Sequence, residues 1–236
     1  MRILTNFSGV ILTGGASRRM GTDKALVPIP RPVDPAREGR ADPADPAHAT
    51  VPLVAVAAEA LRQAGAHDIT CIGGDQRALE ELGLAWHPDD APGEGPLAGL
   101  VTGLRVAPLP MVVVLTCDLP AIDGASVRGL VNALSLAGDA DAAMPERGGR
   151  LQILTAAYRR SVLPVLEAAF ADGERSVRRA VAPLTIEVID HLDADRLVDV
   201  DSPDDLDRYA RWLTTNATAA PSRAPSSTEG KSVGDP

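Results

Sequence analysis

Apolar positions along the chain fall into short runs of two kinds, and the two kinds alternate. Residues 8–13, 68–72, 84–87, 111–117, 141–144, 151–157 and 184–189 have strand length and are rich in Val, Ile, Leu and Thr. Between them lie segments with helical spacing. In 51–64 the residues Leu53, Val56, Ala60 and Leu61 share one face, and Gly65 follows as a C-terminal cap. Further helices are predicted over 76–82, 97–105 and 124–136, near Pro164 through Ala171, from Gly173-Glu174-Arg175-Ser176-Val177, and from Ser202 to about Leu213. Ser202 suits the N-cap, Pro203 the first helical position, and Asp204 and Asp205 the positive end of the helix dipole. Met111 to Cys117 (MVVVLTC) is apolar on both faces, as a central strand of a parallel sheet must be. Strands alternating with helices predict an α/β fold, an open, mostly parallel sheet with helices on both faces. Ligands of such sheets bind at the carboxyl ends of the strands. Gly14-Gly15, Asp118 and the Asp199/Asp201 pair all follow predicted strands, so the topology brings them to one edge.

Two segments break the pattern. Residues 28–52 carry Pro28, Pro30, Pro32, Pro35, Pro43, Pro46 and Pro52, a density that excludes helix and central strand, and read as an extended or disordered surface insertion. From Thr214 to the end, Ala, Thr, Ser, Pro and Gly dominate, which predicts a disordered tail.

Composition narrows the partners. The chain has 236 residues and 45% hydrophobic residues, enough for one large α/β domain. Aromatics make up only 3%, so Ala, Val and Leu build the core. A net charge of −9 argues against a nucleic-acid surface but permits a small anion held by a local basic patch. With no secretory leader pattern and no long apolar run, the expectation is a cytoplasmic protein without membrane contact. Cys71 and Cys117 sit in separate apolar runs and are expected to be buried thiols; no Cys/His cluster points to zinc.

The candidate chemistry starts at the first strand. It breaks into Gly14-Gly15, then Arg18, Arg19, Gly21 and Lys24, which offers an anion backbone N–H groups and positive charge together. The loop fails as GxxxxGK[ST], because Thr22 follows Gly21, and it fails as GxGxxG. Lys24 and Arg19 are candidate phosphate ligands, with Arg18 equivalent to Arg19 by spacing. Asp118 ends the most apolar strand, where a carboxylate can hold Mg²⁺ whose shell phosphate and water complete. Asp199 and Asp201 alternate, so on an extended segment they share a side, and one of them is a candidate second metal ligand. Asp89 and Asp90 lie in a Pro/Gly-rich loop, where a carboxylate can accept from N1–H and the 2-amino group of guanine; an exposed loop acid is the plainer alternative. Glu174 and Arg178 have the spacing of a surface ion pair. The four His are scattered and receive no role.

These residues bear a resemblance. Gly14 to Lys24 is similar to the LAGG-x-S-x-RMG-x-DK signature of the molybdenum-cofactor guanylyltransferases, MobA-like nucleotidyltransferases. Gly95-Pro96-Leu97-Ala98-Gly99 matches their GPLAG element, and Cys117-Asp118-Leu119-Pro120 their CD-x-P. The stretch from Asp199 to Leu206 resembles their late D/N-x-D/N-T-P-E-D-L. The resemblance implies a Rossmann-like fold of the nucleotide-diphospho-sugar transferase type over residues 1–213, Mg²⁺ as cofactor, and GTP and molybdopterin as substrates. It implies that Leu12, Thr13, Gly14 and Gly15 contact the nucleotide, Lys24 its phosphates, Asp89 the guanine, and Asp118 and Asp201 the metal. Molybdoenzymes or cofactor-pathway proteins would be partners. The chain departs from the pattern at Thr13, usually Ala, in the insertion at 28–52, at Asp199 and Asp201, where some members have Asn, and at Gln152-Ile153, where a His-Pro or Gln-Pro is usual. A transferase using CTP or another phosphorylated acceptor, and a non-catalytic GTP-binding regulator, are the alternatives.

Overall fold

The computed structural model describes residues 6–14, 23–30 and 50–217. The strands are β1 (Ser8–Leu12), β2 (Pro28–Pro30), β3 (Thr50–Pro52), β4 (Asp68–Ile72), β5 (Ala85–His87), β6 (Met111–Thr116), β7 (Ala142–Arg147), β8 (Arg150–Leu151), β9 (Ala156–Arg159) and β10 (Ile186–Ile189). The helices are α1 (Leu53–Ala64), α2 (Gln76–Glu81), α3 (Pro96–Val106), α4 (Gly124–Leu136), α5 (Leu163–Ala171), α6 (Val177–Ala180) and α7 (Pro203–Ala217). The main sheet runs β10-β7-β9-β6-β1-β4-β5, with β8 paired to β7. Its β1–β4, β1–β6, β4–β5 and β7–β10 pairs are parallel, while β9 lies antiparallel between β6 and β7.

The side chains of the two central strands divide strictly by parity, as a pleated strand demands. Val10 and Leu12 of β1, with Val112 and Val114 of β6, enter a core shared with α3, α5 and α6. Ile11 of β1, with Met111, Val113 and Leu115 of β6, enters the opposite core, shared with α1, α4 and α7. Burying each such side chain contributes about 1.5–3 kcal/mol. The two strands that carry Gly14 and Asp118 are therefore the most firmly held part of the sheet.

Local chemistry sets the ends of the elements. Gly65, at φ 89°, closes α1, with its own N–H on Arg62 O and the N–H of Ala66 on Leu61 O at 3.0 Å each. Ser202 caps α7: the Asp205 N–H donates to its hydroxyl at 3.4 Å, and that hydroxyl donates to Asp205 Oδ2 at 2.6 Å.

Three expectations change. The proline-rich segment is ordered at both ends, where β2 and β3 pair antiparallel. Leu53 N donates to Val27 O at 3.0 Å. Alternation along an antiparallel pair then puts Pro28, Pro52 and Pro30 at positions with no ladder bond, and Ile29 with Val51 at the hydrogen-bonded position between them. Ile29 is fully buried. Residues 31–49 of the insertion lie outside the described residues. The strand expected over 151–157 is split: β8 ends at Leu151, a turn closes with Thr155 N on Gln152 O at 3.0 Å, and β9 begins at Ala156. The last helix runs on to Ala217, with the hydroxyls of Thr214 and Thr215 donating to the carbonyls of Ala210 and Arg211. The rest of the expected tail, 218–236, lies outside the described residues. Cys71 and Cys117 are buried free thiols, each pushed up to about 12 by burial. No helix among the described residues is long and apolar enough to cross a membrane.

Candidate active site

The chain leaves β1 at Leu12 and bends toward β4. The N–H groups of Thr13 and Gly14 both donate to Ile72 O at 3.0 Å. Thr13 is 3% exposed, and its hydroxyl reaches Ile72 O at 3.0 Å and Gly73 O at 2.8 Å. This is what the Thr at position 13 does: it braces the turn after β4 against the turn after β1. Gly73 is needed there twice over. Its φ of +73° belongs to the left-handed region, and a Cβ would come within 3.0 Å of Gly14 Cα. The same added Cβ would lie 3.8 Å from Asp89 Cβ, so Asp89 borders the Gly14 turn. Gly99 of α3 lets that helix approach Leu12, with a built Cβ 3.4 Å from Leu12 Cδ2. Leu12, Thr13, Gly14 and Asp89 thus meet at the carboxyl ends of β1 and β4. Gly15, Arg18 and Arg19 lie outside the described residues.

Lys24 returns to the same edge on a short 3-10 turn, Lys24–Leu26. Asp23 caps that turn through Ala25 N at 3.0 Å and with its other oxygen takes the Asp75 N–H at 3.2 Å. Reading the sequence assigned Asp23 no role; the structure makes it the clamp that aims Lys24, and its place directly before Lys24 was the available signal. The Lys24 ammonium donates to Asp118 Oδ2 at 2.8 Å and to Asp201 Oδ1. Burial pulls the Lys24 pKa down, but the Asp118 and Asp201 carboxylates outweigh it and hold the group above the ordinary lysine value. Lys24 and Asp118 keep 15% and 20% of their side-chain exposure and Asp201 58%, so the cluster sits at a mouth rather than in the core.

Asp201 arrives by one backbone contact, Val200 N on Asp118 O at 2.9 Å. Val200 is buried at 1%. The residues on either side of it stay at the sheet edge, in line with their alternation. Their company differs. Asp201 joins Lys24 and Asp118, whereas Asp199 lines a neighbouring cleft of about 320 Å³ with Asp118, Gln152, Thr155, Leu151 and Val177. Asp89 and Asp90 also part. Asp90 pairs with Arg105, while Asp89 Oδ1 accepts from Ala91 N at 3.0 Å. The expected Glu174–Arg178 pair does not form. Because α6 starts only at Val177, Glu174 instead meets Arg179 at 2.9 Å and the N–H groups of Arg175 and Ser176 at 2.8 and 2.7 Å.

The arrangement is a glycine turn whose Thr13 and Gly14 N–H groups are both taken by Ile72 O, one ammonium, two converging carboxylates, a separate carboxylate beside the turn, and an adjoining cleft. Such a set can orient a polyphosphate and a second ligand next to each other. The model of the MobA-like NTP transferase domain matches residues 9–188. A molybdenum cofactor guanylyltransferase from Pseudomonas putida is 34% identical over 200 residues, 84% of this chain and 94% of that protein. A probable molybdenum cofactor guanylyltransferase from Chloroflexus aggregans is 32% identical over 220 residues, 89% of this chain and 96% of that protein. The crystal structure of molybdopterin-guanine dinucleotide biosynthesis protein A from Archaeoglobus fulgidus superposes with a TM-score of 0.66 at 20% identity, covering 89% of this chain and all of that one, which establishes the fold. By its sheet order, its glycine turn and these matches, the chain belongs to the MobA-like NTP transferase family.

Proposed function

We propose that the protein transfers GMP from GTP to molybdopterin, releasing pyrophosphate. The observation that carries the proposal is the meeting of Lys24, Asp118 and Asp201 at the mouth beside the Thr13-Gly14 turn, with a cleft that Asp118 also lines. A phosphate oxygen of the acceptor attacks the α-phosphorus of GTP. A new phosphorus–oxygen bond forms, the bond to the bridging oxygen of the β-phosphate breaks, and pyrophosphate leaves with that electron pair. No covalent enzyme intermediate is required. Positioning and electrostatics supply most of the catalysis in reactions of this kind.

In this reading Gly15 and Arg19 cradle the triphosphate beside Gly14, whose own N–H stays on Ile72 O. Leu12 and Thr13, whose side chains are buried, border the nucleotide, and Asp89 accepts from the N1–H and 2-amino edge of guanine. Lys24 exchanges its carboxylate partners for phosphate oxygens, a change of anion without a change of charge. The cleft that Asp199, Gln152 and Thr155 line receives the acceptor, next to Asp118.

The residues present fit a magnesium ion. Among the described residues no three His, Cys, Asp or Glu side chains gather into a metal cage. Two aspartates already converge on one cationic group, and magnesium takes one or two carboxylates when phosphate and water complete its shell. Asp118 and Asp201 would hold the ion, which would offset charge developing on the phosphate oxygens.

A pyrophosphate-release assay tests the proposal, with GTP, CTP, ATP or UTP each offered together with molybdopterin. Release with GTP alone, abolished by EDTA and restored by MgCl₂, is the expected result. Release with CTP instead would move the protein to a cytidylyl transfer. GTP binding without release would make it a regulator. Release that survives EDTA would remove the metal from the scheme.

A further inference from the structure

The loop after β5 carries adjacent carboxylates, and the structure holds them by different means. Asp90 is paired with the Arg105 guanidinium, whose Nε and Nη2 bind Glu167 on α5 at 3.0 and 2.8 Å. The Asp90 N–H donates to the Thr102 hydroxyl at 3.2 Å. Thr102 lies on the buried side of α3 and is 1% exposed. Its oxygen is engaged as an acceptor, so its single proton is directed elsewhere, and Asp89 Oδ1 stands in reach at 3.5 Å. That oxygen also takes the Ala91 N–H at 3.0 Å. One oxygen of Asp89 is thus approached from two sides, which sets the plane of the carboxylate. Among the described residues Asp89 Oδ2 receives no hydrogen bond.

With Oδ1 so engaged, Asp89 meets the edge of a flat base through Oδ2, and the direction of that oxygen's lone pairs follows from the plane in which the carboxylate is held. Two unrestrained aspartates side by side would offer several geometries and a doubled negative charge. Here Arg105 neutralises and withdraws one of them, and Thr102 spans both, accepting from the backbone of Asp90 while facing the side chain of Asp89. From this geometry we infer that Thr102, together with Arg105, is the positioning element of base selection: Thr102 orients Asp89, and Arg105 keeps Asp90 from competing for the base. The inference rests on the reading of Asp89 as the guanine acceptor.

Valine has nearly the shape of threonine but neither accepts nor donates. Thr102→Val therefore leaves the Asp90 N–H unpaired and frees Asp89 to turn, at little cost in packing. The test compares dissociation constants of GTP and ITP, which lacks the 2-amino group, by titration calorimetry on the full chain. Wild type prefers GTP. Thr102→Val reduces the GTP-over-ITP preference about tenfold, the weight of one hydrogen bond to a charged group, and Thr102→Ser restores it. Arg105→Met, at a half-exposed side chain, reduces it severalfold.

A purely structural role for Thr102 would weaken both nucleotides equally and leave the ratio intact, and that result overturns the inference. So does an Arg105→Met protein with the wild-type ratio, which serves if Thr102→Val fails to fold. Asp89→Asn separates the two layers of the argument. If it erases the preference while Thr102→Val keeps it, the positioning claim fails and the guanine reading stands. If Asp89→Asn keeps the preference, the guanine reading fails and takes the inference with it.

Discussion

The Lys24 ammonium satisfies two aspartates whose residues lie 94 and 177 positions away along the chain. Lys24 and Asp118 are costly to leave alone at a partly buried mouth, and the more exposed Asp201 completes the cluster. This makes the cluster sensitive to single changes in a way that surface charges are not. Lys24→Ala leaves Asp118 and Asp201 facing each other and, on the proposed function, removes a phosphate ligand; Asp118→Ala removes the carboxylate that both pairs with Lys24 and lines the cleft. Each is expected to lower the rate of pyrophosphate release by about two orders of magnitude or more, as loss of a charge stabiliser does. Steady-state rates within threefold of wild type in either variant would take that residue out of the reaction. The glycines and Lys24 could be picked out from the sequence because a strand ending in glycines and basic residues is a local pattern. Asp23 and Thr13 could not be assigned their work, because it consists of holding Asp75 N and Gly73 O, which belong to a distant turn.

Among the elements, the helices and parallel strands formed where periodicity put them, and the mismatches have local causes. Residues 151–157 are apolar enough to predict one strand across β8 and β9; the turn at Gln152–Thr155 opens instead into the cleft beside Asp118. The start of α6 shifted the partner of Glu174 from Arg178 to Arg179. Arg179 first, then the backbone N–H groups of Ser176 and Arg175, hold the Glu174 carboxyl down to about 2, against an ordinary value of 4.5. A depressed folded-state value means stabilisation that is present above the unfolded value and is lost as pH falls through the folded one. The melting temperature of Glu174→Gln should therefore lie below that of wild type by a constant gap above about pH 4.5, and the gap should close as the pH approaches about 2. A gap that does not change with pH would show that the Gln variant loses packing rather than charge.

At the scale of the molecule, α7 closes the core beneath the site. Tyr209 is 6% exposed, stacks with Trp212 at 6.1 Å between ring centroids, and reaches Pro30 O through its hydroxyl at 3.4 Å. It joins the helix that follows Asp201 to the ribbon that follows Lys24. Tyr209→Ala should destabilise the fold by about 3 kcal/mol, within the range for truncating a buried aromatic residue, read as the shift in a urea unfolding midpoint. It should also weaken GTP binding, because both arms of the Lys24–Asp201 contact lose their support; unchanged affinity would show that the site stands without α7. The sequence by itself determined the order and type of most elements, the doubly wound sheet and the edge to which Gly14, Asp118 and Asp201 come, since each follows from periodicity, glycine placement and capping within a few neighbouring residues. Only the tertiary structure decided which charged group pairs with which: Asp201 rather than Asp199 on Lys24, Asp90 rather than Asp89 on Arg105, Arg179 rather than Arg178 on Glu174. In each case the rivals are near-neighbours of the same chemistry, and the choice was made by where packing carried the backbone.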